Sequence, residues 1–327
     1  MDEQWFIIWS AAGSVFVIIA GGMASRKIGI LSEEADTSLL NLIIRVLLPC
    51  LIFSAVSRNE ALREPSNILL PPVVGFASIV LGFAVAAAVA RLGHRLTGME
   101  GARQRRTFAF CVGVYNYGFL AIPLVRLLFD DHALGVLFVH NLGVELAFWT
   151  VGVMLISGRL GPGWWRHAIN PASVTIVVAL GFNYTNTTEY LPGAITTAIG
   201  WLGQSAIPMS LVLIGASIAD QLGADANGSR AVDGAKVAVL ACGLRLFLLP
   251  LAMIMLVAML PASIELRRVV AIQAAMPSAV FSIVMARHYG GDSATALRVV
   301  MATSLVALAT IPLWIPAGLA LLGVAAP

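Results

Sequence analysis

Charged side chains are scarce in this sequence. Asp, Glu, Lys and Arg make up 11% of its 327 residues, whereas an ordinary soluble domain has roughly 25%. So little charge cannot cover the surface of a soluble particle of this size. Because 59% of the residues are hydrophobic and the mean hydropathy is +0.90, disordered and fibrous classes are also excluded. The composition predicts a polytopic helical membrane protein.

Cysteines and catalytic motifs are also scarce. The three cysteines stand singly in apolar runs, so neither a disulfide framework nor a metal site is expected. The sequence contains no GxSxG, HExxH, Walker A or GxGxxG pattern. We therefore expect no enzymatic activity, no ATP-driven pumping, no cofactor and no bound metal.

Apolar stretches long enough to cross a bilayer, which takes about 20 residues, follow one another along the whole chain. Ten spans are predicted, at residues 5–24, 38–57, 67–90, 107–129, 133–156, 171–188, 194–219, 237–260, 269–286 and 299–323. None of them alternates with the period of two that transmembrane β-strands require. The expected fold class is an all-α polytopic membrane protein.

The positive charges of the loops fall mainly on one side of the membrane. Thirteen Lys and Arg residues follow the odd-numbered spans, and four lie on the opposite side. The positive-inside rule places the thirteen in the cytosol and both termini outside. The isoelectric point near 9.0 therefore reflects topology, and no nucleic-acid partner is expected.

A linker at 157–170 divides the ten spans into two sets of five. Residues 1–156 form the first predicted repeat, and residues 171–327 form the second. Because each half has an odd number of spans, the second half must be inverted relative to the first. Inverted repeats with a site near the membrane midplane are a transporter architecture.

Spans 4 and 9 each bring helix breakers and a polar amide into an otherwise apolar helix. Span 4 contains Asn116, Gly118 and Pro123, and span 9 contains Gln273 and Pro277. The backbone groups freed by such breaks are tolerable at that depth only against protein or a wet cavity. Half-helix N-termini at the breaks would also suit an anion. A plain proline kink is the alternative, but matching positions in the two halves favour a site.

The residues expected to bind substrate lie at these two breaks or, in one case, one helical turn from a deep carboxylate in span 5. They are Tyr115, Asn116, Tyr117, Gly118, Asn141, Gln273, Met276, Pro277 and Ser278. Breaks at Gly118, Pro123 and Pro277 are expected to form the crossing. Further helix breaks are expected at Pro49 in span 2 and Pro208 in span 7.

Four charged residues fall inside the predicted spans: Arg45, Arg126, Glu145 and Arg245. A charge at the bilayer centre costs about 2.5–3.5 kcal/mol on insertion scales, so each is a functional candidate. The three arginines lie close enough to a span end to reach the membrane surface. Glu145 lies about 18 Å from the outer end of span 5, and its side chain is too short to reach the membrane surface. It is predicted either to carry a coupling proton or to pair with a buried arginine.

The sequence resembles the bacterial branch of the auxin efflux carrier family over nearly its whole length. The most specific matches are at residues 116–123, 170–171, 275–277, 289–292 and 310–312. The resemblance implies a ten-helix fold similar to that of bacterial bile-acid/sodium symporters, in which spans 4 and 9 break and cross at the substrate site. It also implies a scaffold of spans 1, 2, 6 and 7 that often dimerises, while spans 3–5 and 8–10 move.

By this resemblance, Asn116 and the backbone around Gly118 and Pro277 line a pocket for a small organic anion such as malate or malonate. The implied function is a secondary carrier in the bacterial inner membrane that works by elevator-like alternating access. Sodium-coupled relatives carry an acidic residue beside the span 9 crossing, and residues 269–286 contain none, so a proton is the expected coupling ion. A sodium-coupled symporter of bile-acid type and a non-transporting membrane sensor or enzyme remain alternatives.

Overall fold

The computed structural model describes residues 2–99, 101–158, 169–225 and 231–325. Within these ranges all regular structure is helical apart from one isolated β-bridge. This agrees with the composition, because a chain in lipid must satisfy its backbone hydrogen bonds within each segment.

The first half of the chain contains six labelled helices. They are α1 (Asp2–Lys27), α2 (Glu33–Val56), α3 (Ser66–Leu92), α4 (Ala102–Gly113), α5 (Ala121–Leu128) and α6 (Asp131–Ser157). The second half also contains six. They are α7 (Pro171–Thr185), α8 (Gly193–Asp225), α9 (Ala231–Gly243 continued by Leu244–Leu248 and Leu249–Ala258), α10 (Ile264–Ala275), α11 (Phe281–His288) and α12 (Ser293–Leu321).

Seven of these helices are long and apolar enough to cross a membrane: α1, α2, α3, α6, α8, α9 and α12. The predicted class, a helical protein with several membrane spans, is therefore confirmed. The three other predicted spans correspond to shorter elements. Predicted span 6 is α7, which has 15 residues, and predicted spans 4 and 9 are the pairs α4/α5 and α10/α11.

The prolines of predicted spans 2, 4 and 7 do not break their helices. Pro208 lies inside the continuous helix α8, so the predicted break there is wrong. A proline removes a single helical hydrogen bond, and the flanking turns of α8 are held by packing against α1 and α2.

At Pro49 the predicted break is also wrong, because α2 continues through one π turn, Ile43–Leu47, directly before it. The wider turn accommodates a residue that donates no amide. Pro123 is the third residue of α5. In the first turn of a helix a backbone amide has no helical acceptor, so the lack of an amide at Pro123 costs no hydrogen bond. The break in the helix precedes Pro123, at residues 114–120.

Glycines bring several helices into close backbone contact, as expected in membrane bundles. A Cβ atom on Gly143 of α6 would lie 1.7 Å from the carbonyl oxygen of Pro72 in α3. A Cβ on Gly215 of α8 would lie 2.0 Å from the carbonyl oxygen of Ile19 in α1. Neither position can hold a larger residue without separating the helices.

The helix contacts fall into two sets. In one set, α1 packs against α8, and α2 packs against both α7 and α8. In the other, α3 packs against α4 and α6, while α12 packs against α9 and α10. The half-helix α4 also contacts α12, and the half-helix α10 contacts α6. These contacts bring the two helix breaks together.

Candidate functional site

The two broken helices meet where each is interrupted. Residues Tyr115 and Ser278 form an antiparallel bridge. The amide of Asn116 donates to the carbonyl of Pro277 at 2.8 Å, and the amide of Ala279 donates to the carbonyl of Val114 at 3.0 Å. The two hydrogen bonds satisfy backbone groups that the breaks release. The structure thus brings together the two segments that the sequence singled out.

Three polar side chains and one backbone carbonyl form a connected network beside this bridge. The amide nitrogen of Gln273 donates to the carbonyl of Tyr117 at 3.2 Å and to Asn141 Oδ1 at 3.1 Å. Asn141 Nδ2 donates to the same Tyr117 carbonyl at 3.1 Å. His140 Nδ1 lies 3.4 Å from Asn141 Oδ1. Residues of α6 and α10 are therefore linked through the break between α4 and α5.

The side chain of Asn116 has a local role at the first break. Its Oδ1 accepts a hydrogen bond from the amide of Leu120 at 3.3 Å, just before α5 begins. At the second break, Met276 and Ser278 are fully buried, and the Ser278 amide donates to Thr303 Oγ1 of α12 at 3.3 Å. The sequence did not indicate Thr303, because a threonine inside an apolar helix has no distinguishing pattern.

A cavity of about 60 Å³ lies next to the network. Its walls come from α2, the first break, α6 and α7, and its polar lining includes Asn141, Glu145 and Ser173. Tyr117 and Gly118 form the wall on the side of the break. Tyr115, Asn116 and the residues of the second break lie at the crossing but outside this cavity's lining.

Glu145 faces the cavity and accepts a hydrogen bond from the Asn170 side chain. Asn170 also caps α7, since its Oδ1 accepts from the amide of Ser173 at 2.9 Å. Among the described residues, no arginine or lysine forms an ion pair with Glu145. Within that part of the chain, the predicted alternative of a buried arginine partner is therefore wrong.

Arg245 is buried beside the crossing, with 1% of its surface exposed. The expectation that it extends to the membrane surface is wrong. Its Nη2 donates to the carbonyl of Ala274 at 3.3 Å, and its guanidinium carbon lies 5.2 Å from the centre of the Tyr115 ring. The Tyr115 hydroxyl lies 2.9 Å from Ser78 Oγ of α3. Arg245 lies in the π turn of α9, whose wider backbone directs it inward and not along the helix.

No acidic side chain balances this guanidinium within the described parts of the chain, and Arg245 Nε has no hydrogen-bond partner there. The carbonyl that it contacts belongs to the last turn of α10, where helix carbonyls are unpaired and carry partial negative charge. Among the described residues, the positive charge at the crossing thus meets a helix C-terminus and an aromatic face but no carboxylate.

Three predicted residues lie away from the crossing. Pro208 and Arg126 both line a separate, largely apolar cavity of about 420 Å³ between α1, α2, α5 and α8. Arg126 pairs with Asp131. Pro49 contributes to neither cavity lining. A search of the described residues finds no group of three or more His, Cys, Asp or Glu side chains that could hold a metal ion.

The chain is similar to membrane transport proteins over nearly its whole length. The profile of the membrane transport protein family matches residues 8–163 and 159–315. The chain is 26% identical over 306 residues to an uncharacterized transporter of Methanothermobacter thermautotrophicus, which covers 92% of this chain and 95% of that protein. It is 22% identical over 310 residues to an uncharacterized transporter of Methanocaldococcus jannaschii, with the same two coverages of 92% and 95%. The two profile matches meet within the predicted linker.

Proposed function

Because the chain belongs to the membrane transport protein family, that of the auxin efflux carriers, we propose that it is a secondary carrier of a small organic anion that works by alternating access. The observation that carries this proposal is the bridge between Tyr115 and Ser278. It joins two half-helix pairs at the depth where a carrier needs polar backbone beside a substrate cavity.

The ten helical segments are proposed to be two inverted repeats of five. Two pairs of helix boundaries support this: α4 ends at Gly113 and α10 at Ala275, 162 residues later. Helices α6 and α12 begin at Asp131 and Ser293, again 162 residues apart. The paired hydrogen bonds of the crossing have the same two-fold relation, because each break donates one amide to the other.

The contacts between helices suggest how such a carrier would move. Helices α1, α2, α7 and α8 would form the scaffold, and the remaining helices, which include both broken pairs, would form the transport unit. The cavity lined by Asn141 and Glu145 lies between these groups, since its walls combine α2 and α7 with α6 and the first break. An elevator-like displacement of the transport unit would carry a bound substrate across.

An anion is favoured as substrate by the charges at the crossing. Arg245 supplies a buried positive charge. The half-helices α5 and α11 both begin at the crossing and without a side-chain cap, so the partial positive charge of each helix N-terminus lies there. Helix N-termini and guanidinium groups are both attractive to carboxylates.

Sodium coupling is the second candidate, and one observation favours it. Three buried oxygens beside the second break, Gln273 Oε1, Ser278 Oγ and Ser282 Oγ, have no hydrogen-bond partner among the described residues. Hard cations bind oxygen ligands, usually with a carboxylate among them. Because α10 and α11 carry no acidic residue near these oxygens, we propose proton coupling through Glu145.

Transport by purified protein in liposomes tests this function directly. We expect labelled malate or malonate to exchange with unlabelled substrate, and a pH gradient to drive its accumulation without sodium. The Asn116→Ala variant is the matched control, because it removes the amide that orders the first break and should exchange little substrate. Uptake of no mono- or dicarboxylate would contradict the proposed function, and uptake that requires a sodium gradient would establish the sodium-coupled alternative.

We also propose that both termini lie outside the cytosol. In a variant without the three native cysteines, Ala102→Cys is expected to resist an impermeant thiol reagent in intact cells and to react after lysis. Glu64→Cys, on the opposite side, is expected to react in intact cells. Both positions are exposed, so a reversed pattern would show that the charge asymmetry predicts the wrong orientation.

A further inference from the structure

Three arginines line a second polar cavity, at the start of α4 and away from the end of this helix that meets the crossing. The cavity has a volume of about 180 Å³, and Arg91, Arg105 and Arg106 are its charged side chains. Its other walls are apolar: Ala87 of α3, Ala109 of α4 and Leu155 of α6 are among them. The described residues of this lining include no acidic side chain.

The positive charges of Arg91 and Arg106 would attract an anion to this cavity. Arg91 and Arg106 are exposed, and neither has an ion-pair partner in the described ranges. Arg105 donates to the carbonyl of Met99 at 3.0 Å, which holds its guanidinium near the other two. Like charges that share a cavity repel one another, and an anion between them would reverse the sign of this interaction.

The start of α4 supplies a second, independent attraction for an anion. This helix of 12 residues begins after Gly101 without a side-chain cap, and its first residue, Ala102, lines the cavity. The unpaired amides of a first helical turn are a ready anion site. Gly158, with φ of +80°, lies over Arg106, and a Cβ there would lie 2.8 Å from Arg106 Nη1.

We propose that this arginine cavity binds a phosphate group, supplied by the headgroup of an anionic phospholipid. Arg91 lies in the last turn of the membrane helix α3, so the cavity lies at a membrane boundary on the side that carries most of the loop charge. Beside it, Leu92 is 85% exposed and Met154 is 44% exposed, which offers an apolar surface to acyl chains. Basic pockets between membrane helices at the cytoplasmic surface are suited to such headgroups.

The test uses the purified full-length chain and short-chain dioctanoyl phosphatidylglycerol. We expect the double variant Arg91→Gln/Arg106→Gln to bind this lipid about thirtyfold more weakly than the unsubstituted protein. Each of the two arginines removed weakens the binding by about tenfold or less. Arg105 is kept because its hydrogen bond to Met99 orders the chain. The matched control is Lys27→Gln/Arg287→Gln, which removes the same charge at exposed helix ends outside the cavity and should change the affinity by less than about twofold.

Two further measurements distinguish a lipid phosphate from inorganic phosphate and distinguish lost binding from misfolding. Inorganic phosphate at the lipid's concentration should give no comparable increase in melting temperature. Arg91→Lys/Arg106→Lys, which keeps the charge but loses the planar donor pair, should bind between the two extremes. Equal weakening in the control pair, unchanged binding in the Gln pair, or equal stabilisation by inorganic phosphate would each overturn the proposal.

Discussion

Replacing Arg245 with Gln is expected to weaken the transport of a dicarboxylate far more than that of a monocarboxylate. At a separation on the order of 10 Å and an effective dielectric constant of about 20, two unit charges interact by about 1.7 kcal/mol. Loss of the guanidinium should then raise the apparent KM about 15-fold for a monoanion and about 200-fold for a dianion. Measuring the transport of the two substrates in liposomes gives the ratio of these two increases in KM.

The dependence on substrate charge separates an electrostatic role from a merely structural one. Introducing Gln leaves no acidic group unpaired, since none contacts Arg245 among the described residues. The melting temperature should therefore change little. Arg245→Lys keeps the charge and should keep most of the discrimination, and Arg126→Gln, at the exposed pair with Asp131, is the control. Equal losses for both substrates would refute the electrostatic role.

The positions of the helix breaks could be predicted from the sequence because their cause is local. Gly118 and Pro277 are helix-breaking residues that lie close to Asn116 and Gln273 in otherwise apolar helices, and the structure interrupts these helices at 114–120 and 276–280. To predict that the two breaks pair with each other, a second observation was needed, namely that each half has an odd number of spans. Which backbone atoms bond across the crossing could not be predicted, because that depends on how the halves pack.

The prolines and Arg245 gave wrong predictions for a related reason. Whether Pro208 breaks α8 depends on the neighbours that hold the adjacent turns, and whether Pro49 breaks α2 depends on a π turn before it. Arg245 was assigned to the surface by counting residues from the end of its span. The π turn Leu244–Leu248 and the acceptor in α10 instead direct it inward, and neither has a signal within the sequence of α9.

Glu145 could be identified as a functional candidate because it is the one carboxylate deep in a predicted span. Its partner could not, because Asn170 precedes a different helix and meets Glu145 only through the packing of α6 beside α7. The resulting position is informative. An ionised carboxylate in the cavity proposed for an anionic substrate would repel that substrate, whereas the neutral acid would not. Substrate and proton binding are therefore expected to be coupled.

We accordingly expect Glu145→Gln to abolish accumulation driven by a pH gradient while exchange of labelled substrate at equal concentrations continues. Gln preserves the size of the side chain and can still accept from Asn170, but it cannot change charge. Liposomes give both measurements on one preparation, and Glu265→Gln, in the first turn of α10 and outside the cavity, is the control. If the variant lost exchange and melting temperature together, Glu145 would be structural. Full pH-driven uptake by a stable variant would instead show that the coupling proton binds elsewhere.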